Sequence, residues 1–373
     1  MGDGRRLRVA VTVEQSWHAI PGGTAWSVLE LLRALRERDD LELIGVSARH
    51  SSPPPEPWTV PIDVAALPLP RLALYETWHA PASRLPKVER ATGPIDVVHA
   101  TAIAYPATNA PVVVTVHDLS FRDDRRRATR YGHHLFARGT ELARRHARLV
   151  ACPSQTSANE CVAAGFDPGR VRVVPWGVRQ RRVAADEIAQ VLARHDLDAP
   201  FVLFTGTVEP RKNLPALLAA FERLAHRDVE LVLTGPSGWN ENVDEVVRRL
   251  GSRVRVLGFV DRAELDALLA GATVFAYPSL QEGFGLPVLE AMVQGTAVVT
   301  SRGTATEEVA GDAAVLVDPR DVDAITTAID GLLDDTAARE RVGLAAAARA
   351  ASFTWERSAA AYADLYAEAA RRD

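Results

Sequence analysis

Short apolar runs alternate with longer amphipathic segments along most of the chain. The runs have the length of buried β-strands, and the segments between them carry apolar residues at helical spacing. Strands are predicted at 7–13, 41–47, 96–100, 112–116, 149–153 and 171–175, and then at 201–205, 230–234, 254–257, 273–277, 297–300 and 314–317. Such alternation is typical of repeated βαβ units, so the pattern predicts an α/β protein with parallel sheets covered by helices.

The predicted helices fill the gaps between these strands. They span 24–38, 214–226, 243–250, 261–270, 287–294 and 321–334, and one more follows Ser154, which is a good N-cap residue. The last segment, 353–373, predicts one amphipathic helix that packs back on the first domain. Its apolar side carries Trp355, Ala359, Tyr362 and Tyr366.

The length of 373 residues exceeds what one hydrophobic core usually supports, so two domains are expected. The strand pattern restarts after VVPWGV at 173–178 and a charged connecting segment. We predict two doubly wound, Rossmann-like domains at 1–177 and 178–352, followed by the helix at 353–373. Ligands of such sheets lie at the carboxyl ends of the strands, so a cleft between two facing sheets is the expected site.

Composition narrows the class of protein without changing this fold. Charged residues make up 24% and hydrophobic residues 47% of the chain, which excludes a disordered or membrane-spanning protein. The net charge of −5 argues against a nucleic-acid partner. Cys152 and Cys161 cannot form a disulfide framework or a zinc site on their own. Because the sequence also lacks a secretion signal pattern, a cytoplasmic protein is expected.

The segment QEGFGLPVLEAM at 281–292 holds two glutamates just after a predicted strand. Proline is favoured at the first helical position, so the next helix is expected to begin at Pro287, with Gly285 in the turn before it. Backbone N–H groups at such a helix start favour a phosphate. Glu282 and Glu290 are better suited to hydroxyl groups, since a carboxylate beside a phosphate is unfavourable. The alternative is that the helix dipole alone favours Glu290 and that Glu282 is solvated.

Arg211 and Lys212 follow the predicted strand 201–205 and precede a helix. Two cations at a helix start are poorly placed for the helix dipole, so an anion is expected to compensate them, and a diphosphate fits. Only Lys87 and Lys212 are lysines among the 43 basic residues, a rarity that codon usage explains. The alternative is a solvated pair of charges.

Two further positions precede or follow predicted elements. His117 ends the run 112–116, where an imidazole can exchange a proton near neutral pH, although a structural histidine is the alternative. Gly22 and Gly23 precede the first helix and permit close approach of the backbone to a ligand. The chain lacks GxGxxG here, so a nicotinamide or flavin site is not supported.

Together these motifs resemble the retaining glycosyltransferases of family 4, which have the GT-B fold of two facing Rossmann-like domains. The resemblance rests on the Gly-Gly loop at 22–23, VHDLSF, PSQTS, VVPWGV, GTVEPRKN, LGFV, EGFGLPVLE and DAAVLVDP. It implies an acceptor-binding domain at 1–177 and a domain at 178–352 that binds a nucleotide-sugar donor. It also implies transfer with retention of configuration and with no metal or other cofactor, so Asp321 and Asp323 are interpreted as helix-capping residues.

The resemblance implies roles for single residues. Glu290 would bind the nucleotide ribose, and Glu282 would lie by the hydroxyl groups of the transferred sugar. Arg211 and Lys212 would bind the diphosphate. His117 would lie beside the reacting carbon, so His117 and Glu282 are the catalytic candidates. The other donor-binding candidates are Gly23, Thr207, Val260, Gly283, Phe284, Gly285 and Leu286. Many relatives have arginine where this chain has Thr207, which would leave more of the charge to Arg211.

We therefore expect a hexosyltransferase that takes mannose from GDP-mannose, because GTVEPRKN and HDLSF are most similar to bacterial mannosyltransferases. The expected acceptor is a glycan, a glycolipid or a lipid-linked molecule of cell-envelope polysaccharide synthesis. UDP-sugars and dTDP-sugars stay open as donors. A sugar-nucleotide epimerase and a non-catalytic GT-B binding subunit are the alternative functions.

An arginine-rich segment follows His117. Nine arginines lie between Phe121 and Leu149, against three acidic residues. This excess leads to the hypothesis that Arg125, Arg126 and Arg127 hold a lipid-linked diphosphate acceptor or contact the anionic inner face of the membrane. The alternative is a solvated, arginine-rich helix.

Overall fold

The computed structural model describes residues 6–18, 22–80, 84–120, 130–236 and 243–371. The chain divides into two compact units, which we call unit 1 (Met1–Gly177 with Trp355–Asp373) and unit 2 (Val178–Thr354). Each unit contains one sheet whose paired strands are parallel. The predicted pair of Rossmann-like, parallel-sheet domains is confirmed.

Unit 1 is built around a seven-stranded sheet. Its strands are β1 (Leu7–Thr12), β2 (Leu41–Ser47), β3 (Val64–Ala66), β4 (Val97–Ala100), β5 (Val112–Thr115), β6 (Leu149–Cys152) and β7 (Val171–Val173). The spatial order β3-β2-β1-β4-β5-β6-β7 reverses its direction between β1 and β4. Such a topological switch point is where open parallel sheets bind ligands.

Unit 2 is built around a six-stranded sheet. Its strands are β8 (Phe201–Thr205), β9 (Glu230–Thr234), β10 (Val254–Gly258), β11 (Val274–Tyr277), β12 (Val298–Ser301) and β13 (Val315–Val317), in the order β10-β9-β8-β11-β12-β13. The turn after β9 has no room for a side chain, because a Cβ atom on Gly235 would lie 2.3 Å from the carbonyl oxygen of Gly206. Gly235 also has φ +125°, which favours glycine. The backbone therefore packs closely at the edge that carries the loops of unit 2.

Helices cover the sheets in both units. They are α1 (Gly22–Leu35), α2 (Arg71–Trp78), α3 (Glu89–Thr92), α4 (Arg130–His146), α5 (Gln155–Ala163), α6 (Ala185–Arg194), α7 (Leu214–Arg223), α8 (Asp244–Leu250), α9 (Arg262–Gly271), α10 (Leu286–Gln294), α11 (Ala305–Ala310), α12 (Val322–Asp334), α13 (Thr336–Ala350) and α14 (Trp355–Ala370). Ser154 caps α5 by accepting a hydrogen bond from the Ser157 N–H, as the sequence predicts. Asp321 caps α12 in the same way, by accepting from the N–H of Ala324.

The C-terminal helix α14 belongs to unit 1, as predicted, and it is joined to the sheet there by a buried polar network. The Tyr366 hydroxyl lies 2.8 Å from Nδ1 of His99, and the Tyr362 hydroxyl lies 2.9 Å from Oγ1 of Thr115. His99 Nε2 lies 2.8 Å from the same Thr115 hydroxyl, which closes the network. All four side chains are buried.

Several elements differ from the sequence prediction. Helix α1 spans Gly22–Leu35, whereas the prediction was 24–38. The helix therefore includes the two glycines in its first turn. Strand β3 and helices α2, α3, α6, α11 and α13 were not predicted. Strand β3 has only three residues and is exposed at both ends, so it is too short to stand out as a buried strand, and the segment that forms α6 was interpreted as a charged connection.

Candidate active site

The turn after β8 and the loop after β11 bring four charged side chains together, and we call Glu209, Arg211, Lys212 and Glu282 the charged quartet. Arg211 Nη1 lies 2.8 Å from Oε2 of Glu282, and Lys212 Nζ lies 2.7 Å from Oε1 of the same carboxylate. Arg211 Nη2 lies 2.7 Å from Oε1 of Glu209. Glu209, Lys212 and Glu282 are buried. The predicted cation pair is therefore neutralised by two carboxylates of the chain itself.

Local backbone geometry explains how Arg211 and Lys212 reach this edge. Pro210 begins a single 3-10 turn, and Asn213 ends it with φ 58°, a left-handed conformation that asparagine tolerates. The Asn213 side-chain amide donates to the carbonyl oxygens of Pro278, at 2.9 Å, and of Pro319, at 2.6 Å. The N–H of Leu280 donates to the carbonyl oxygen of Arg211 at 2.8 Å. These bonds join the turn to the loop that carries Glu282.

Burial and charge oppose each other within the charged quartet. Burial and the charge of Arg211 lower the pKa of Lys212, and Glu282 offsets part of this effect. Burial favours the neutral form of Glu282, but Lys212 and Arg211 outweigh it and hold the pKa of Glu282 below its ordinary value. The Tyr277 hydroxyl accepts a hydrogen bond from Lys212, and burial followed by the charge of Glu282 raises the pKa of Tyr277 well above its usual range. Glu282 is thus ionised near neutral pH.

Glu290 lies in α10 and is buried against a second cation. Helix α10 begins at Leu286, one residue before the predicted start, and Gly285 precedes it with φ 104°. Arg262, the first residue of α9, pairs with Glu290 and also lies 2.7 Å from Oδ1 of Asp266. Glu290 is therefore held by an ion pair, and the dipole of α10 is not its only stabilisation.

The structure separates the predicted site residues into groups. Glu282 is brought together with Arg211 and Lys212, whereas Glu290 has its own cation partner. The expectation of solvated charges is wrong for Glu282 and Lys212, which are buried. Other donor-site candidates of unit 2 lie in loops that follow strands or lead into α10, namely Thr207, Val260, Gly283, Phe284 and Gly285, and Leu286 begins that helix. Their roles towards a donor stay predictions.

The remaining candidates belong to unit 1. His117 Nε2 donates to the carbonyl oxygen of Thr101 at 2.7 Å, and its ring packs edge-on against Trp176, with centroids 5.2 Å apart. Burial lowers the pKa of His117, so the neutral ring is favoured. Gly23 lies exposed in the first turn of α1. Arg125, Arg126 and Arg127 lie outside the described residues.

Four side chains of the candidate site were missed at the level of sequence: Glu209, Tyr277, Arg262 and Asp266. Glu209 lies inside the motif GTVEPRKN and could have been found there. Arg262 carries the same signal that identified Arg211 and Lys212, because a cation at the first position of α9 is poorly placed for the helix dipole. Tyr277 and Asp266 had no such signal.

The described ranges contain neither a metal-binding cluster nor a membrane-spanning helix. Within 6–18, 22–80, 84–120, 130–236 and 243–371, histidine, cysteine, aspartate and glutamate side chains nowhere cluster in a group of three that could hold a metal ion. None of the helices described there has the length and apolar character needed to cross a bilayer.

Two sequence families match the chain, one after the other. The family described as "Glycosyltransferase Family 4" matches residues 21–182, and the family described as "Glycosyl transferases group 1" matches residues 187–349. The two matches together extend over most of units 1 and 2. The predicted resemblance to family 4 is confirmed.

Curated relatives and solved structures agree with this match. The "O-antigen chain mannosyltransferase B" of Escherichia coli is 43% identical over 42% of this chain and 42% of its own length. The "Glycogen synthase" of Mycobacterium tuberculosis is 31% identical over 74% of this chain and 69% of its own length. The chain spans less than two thirds of the length of several other curated relatives. HepE of Anabaena, solved in complex with UDP and glucose, shares the fold with a TM-score of 0.76, at 18% identity over 97% of this chain and 100% of that one.

Proposed function

Because the chain belongs to the glycosyltransferases of family 4, we propose that it transfers a hexose from a nucleotide sugar to an acceptor hydroxyl group, with retention of the anomeric configuration. The observation that carries this proposal is the charged quartet. Its two cations, Arg211 and Lys212, lie at the carboxyl edge of the unit 2 sheet, where parallel sheets bind their ligands.

The chemistry of the reaction explains why fixed cations are useful there. Negative charge develops on the nucleoside diphosphate as the glycosidic bond breaks, and preorganised charges in a water-poor site stabilise it. Glu209 and Glu282 hold Arg211 and Lys212 in place before the donor binds. We include metal independence in the proposal, since these two side chains supply positive charge without an ion.

Two carboxylates have distinct roles in this proposal. Glu282 would accept hydrogen bonds from hydroxyl groups of the transferred sugar, as charge-assisted bonds of this kind are short and strong. Glu290 would bind the ribose diol, and its ion pair with Arg262 fixes the orientation of its carboxylate. His117 would lie beside the reacting carbon.

GDP-mannose is our proposed donor. The O-antigen mannosyltransferase is the relative with the highest identity among those described above, and its name supports mannose as the sugar. The UDP and glucose in HepE keep UDP-sugars as the alternative. The proposed acceptor is a glycan, glycolipid or lipid-linked molecule of cell-envelope polysaccharide synthesis, reached in the cytoplasm or at the inner face of the membrane.

A thermal-shift screen of GDP, UDP, dTDP and their hexose derivatives tests the donor. A nucleotide at one hundred times its dissociation constant stabilises the folded chain by about 2.7 kcal/mol, which shifts the midpoint measurably. We expect GDP and GDP-mannose to give the largest shifts. Proton NMR of the product would then show the same anomeric configuration as the donor.

Different outcomes would contradict different parts of the proposal. Stabilisation by UDP or dTDP alone would contradict the GDP assignment but not the transfer reaction. Conversion of the donor sugar without any acceptor would favour an epimerase. Absence of any shift with every nucleotide would contradict the proposed function as a whole.

A further inference from the structure

Tyr277 ends β11 directly beside the charged quartet, and the proposed reaction gives it no role. Its side chain is fully buried. The ring stacks on Phe204 of β8 and on Phe275 of its own strand, with centroids 5.7 Å apart in both pairs. The Thr300 hydroxyl donates to the carbonyl oxygen of Tyr277 at 2.9 Å. These contacts hold the ring in place, so its hydroxyl group has a set position.

The hydroxyl group of Tyr277 has two partners, as expected for a buried phenol. It accepts a hydrogen bond from Nζ of Lys212 and donates one to the carboxylate of Glu282. These directions are fixed, because an ammonium group only donates and a carboxylate only accepts. Lys212 Nζ also donates to Oε1 of Glu282 at 2.7 Å. Lys212, Tyr277 and Glu282 therefore close a ring of three hydrogen bonds, which we call the lysine triangle.

The lysine triangle uses two of the three N–H donors that an ammonium group carries. In the part of the chain that the structure describes, the ammonium group of Lys212 donates to Tyr277 and Glu282 and to no third acceptor. Two fixed acceptors determine the orientation of the ammonium group, so the remaining N–H has one direction. A phosphate oxygen only accepts and carries negative charge, which makes it a suitable partner for that N–H.

A neutral hydroxyl group is well suited to this position. One acceptor alone leaves an ammonium group free to rotate about the line that joins the two atoms, and a second acceptor removes this freedom. A second carboxylate would also remove it, but its negative charge would oppose the binding of an anion. Burial and the charge of Glu282 raise the pKa of Tyr277 well above its usual range, so the phenol is neutral. Tyr277 therefore orients Lys212 and leaves its positive charge available.

We propose that Tyr277 is a positioning residue of the transfer reaction, whose hydroxyl group directs the third N–H of Lys212 at the diphosphate of the donor. Negative charge develops on that diphosphate as the glycosidic bond breaks, and a donor that is oriented beforehand stabilises it without reorganisation. Tyr277 is fully buried and both partners of its hydroxyl group belong to the chain, so it acts through Lys212.

This inference rests on the proposed function, and Tyr277→Phe tests it because the variant keeps the stacked ring and removes only the hydroxyl group. The reaction measured is hydrolysis of GDP-mannose, in which water replaces the unidentified acceptor and the same bond breaks. UDP-glucose takes its place if UDP gives the larger thermal shift. An interaction that strengthens in the transition state contributes to kcat, so kcat is expected to fall about tenfold while the KM for the donor changes less.

Two further measurements distinguish the orientation of Lys212 from a general loss of structure. In a Lys212→Ala background, Tyr277→Phe should not lower kcat further, because no ammonium group is left to orient.

The second measurement is the pH dependence of kcat/KM, which is expected to fall at high pH as Lys212 loses its proton. Without the hydroxyl acceptor the charged form of Lys212 is less stable, so this fall should begin at a lower pH in Tyr277→Phe. The other charged groups that face Lys212 are Arg211, Glu209 and Glu282, and the variant retains all three.

The control variant is Tyr105→Phe, which removes the hydroxyl group of a buried tyrosine in unit 1 and should change neither kcat nor the pH dependence. If Tyr277→Phe does not fold, a ring-fluorinated tyrosine at position 277 keeps the shape of the side chain and weakens its oxygen as an acceptor, so kcat should still fall. Unchanged kcat, or an equal loss in the Lys212→Ala background, would overturn the inference. A wild-type chain that binds no nucleotide contradicts the proposed function instead.

Discussion

The carboxyl edges of the two sheets have related geometry and different chemistry. In unit 2 the edge carries the charged quartet, where buried carboxylates and cations neutralise each other. In unit 1 the edge carries Thr12, Gln15, Thr101 and the neutral ring of His117, which are uncharged side chains joined by hydrogen bonds. A parallel sheet thus supplies a position for a ligand, and the side chains after each strand decide the chemistry of that position.

The two edges also differ in how much unfolding free energy is lost when a side chain loses its partner. Removing one partner of a buried ion pair leaves an uncompensated charge and destabilises a protein by about 3–5 kcal/mol. An unpaired neutral acceptor costs about 1–3 kcal/mol. The charged edge is therefore expected to be more sensitive to single substitutions than the neutral one.

The largest effect is expected for Lys212→Ala. It removes a buried cation from the proposed diphosphate site and leaves Glu282 with one cation partner fewer, so turnover is expected to fall about a hundredfold or more. Steady-state release of nucleoside diphosphate measures this. Lys87→Ala is the matched control because Lys87 is the other lysine of the chain, and its activity should equal wild type. Near-normal turnover of Lys212→Ala would contradict the diphosphate assignment.

A smaller effect is expected for Arg262→Gln, which tests whether the charged edge extends to Glu290. Without its cation, Glu290 loses its fixed orientation, so the KM for the donor is expected to rise about tenfold while kcat changes less. The variant should also discriminate less between a nucleotide and its 2′-deoxy form. Arg194→Gln removes an exposed arginine of α6 that pairs with Glu264 of α9, the helix that also carries Arg262, and it should leave KM unchanged. Loss of stability with unchanged KM would show a purely structural role.

Tyr366→Phe tests whether the buried network that joins α14 to the unit 1 sheet contributes to stability alone. The change leaves His99 Nδ1 buried without its hydroxyl partner, which is expected to cost about 1–3 kcal/mol of unfolding free energy. Tyr362→Phe should cost less, since Thr115 keeps its bond to His99. Urea unfolding measures both variants. A drop in turnover at full stability would contradict a role in stability alone.

The smallest effect concerns acid stability. The pKa of Glu282 in the folded chain is below the ordinary value of 4.5, so its ion pairs stabilise the fold above that pH and are lost as the pH falls through the folded value. Glu282→Gln should therefore be less stable at neutral pH and lose less stability on acidification. The difference in slope is at most one proton, about 1.4 kcal/mol per pH unit. Thermal midpoints between about pH 6 and about pH 3 measure it, and parallel curves would contradict the assignment.

Sequence alone predicted most strands to within one or two residues, because buried parallel strands form continuous apolar runs. It missed β3, whose exposed edge position needs no such run, and α6, whose charged residues cover a solvent-facing surface. These elements are determined by what packs against them, which local pattern does not record.

The candidate site shows the same limit. Arg211, Lys212 and Glu282 were found because each lies in a recognisable motif after a strand. Their mutual pairing was not foreseen, since it depends on two loops that are distant in sequence and adjacent across β8 and β11. The hydrogen bond between Lys212 and Tyr277 could not be predicted either, because Tyr277 lies in an apolar run and only the fold brings its hydroxyl group to Lys212.

The membership of α14 in unit 1 sets an order for folding during synthesis. Residues 178–354 form unit 2 as an insertion in unit 1, so unit 2 is fully synthesised while unit 1 still lacks its last helix. His99 and Thr115 must wait for Tyr366 and Tyr362 before their polar atoms are paired. On a ribosome, the half with the charged edge can therefore be finished first, and the half with the neutral edge is completed last.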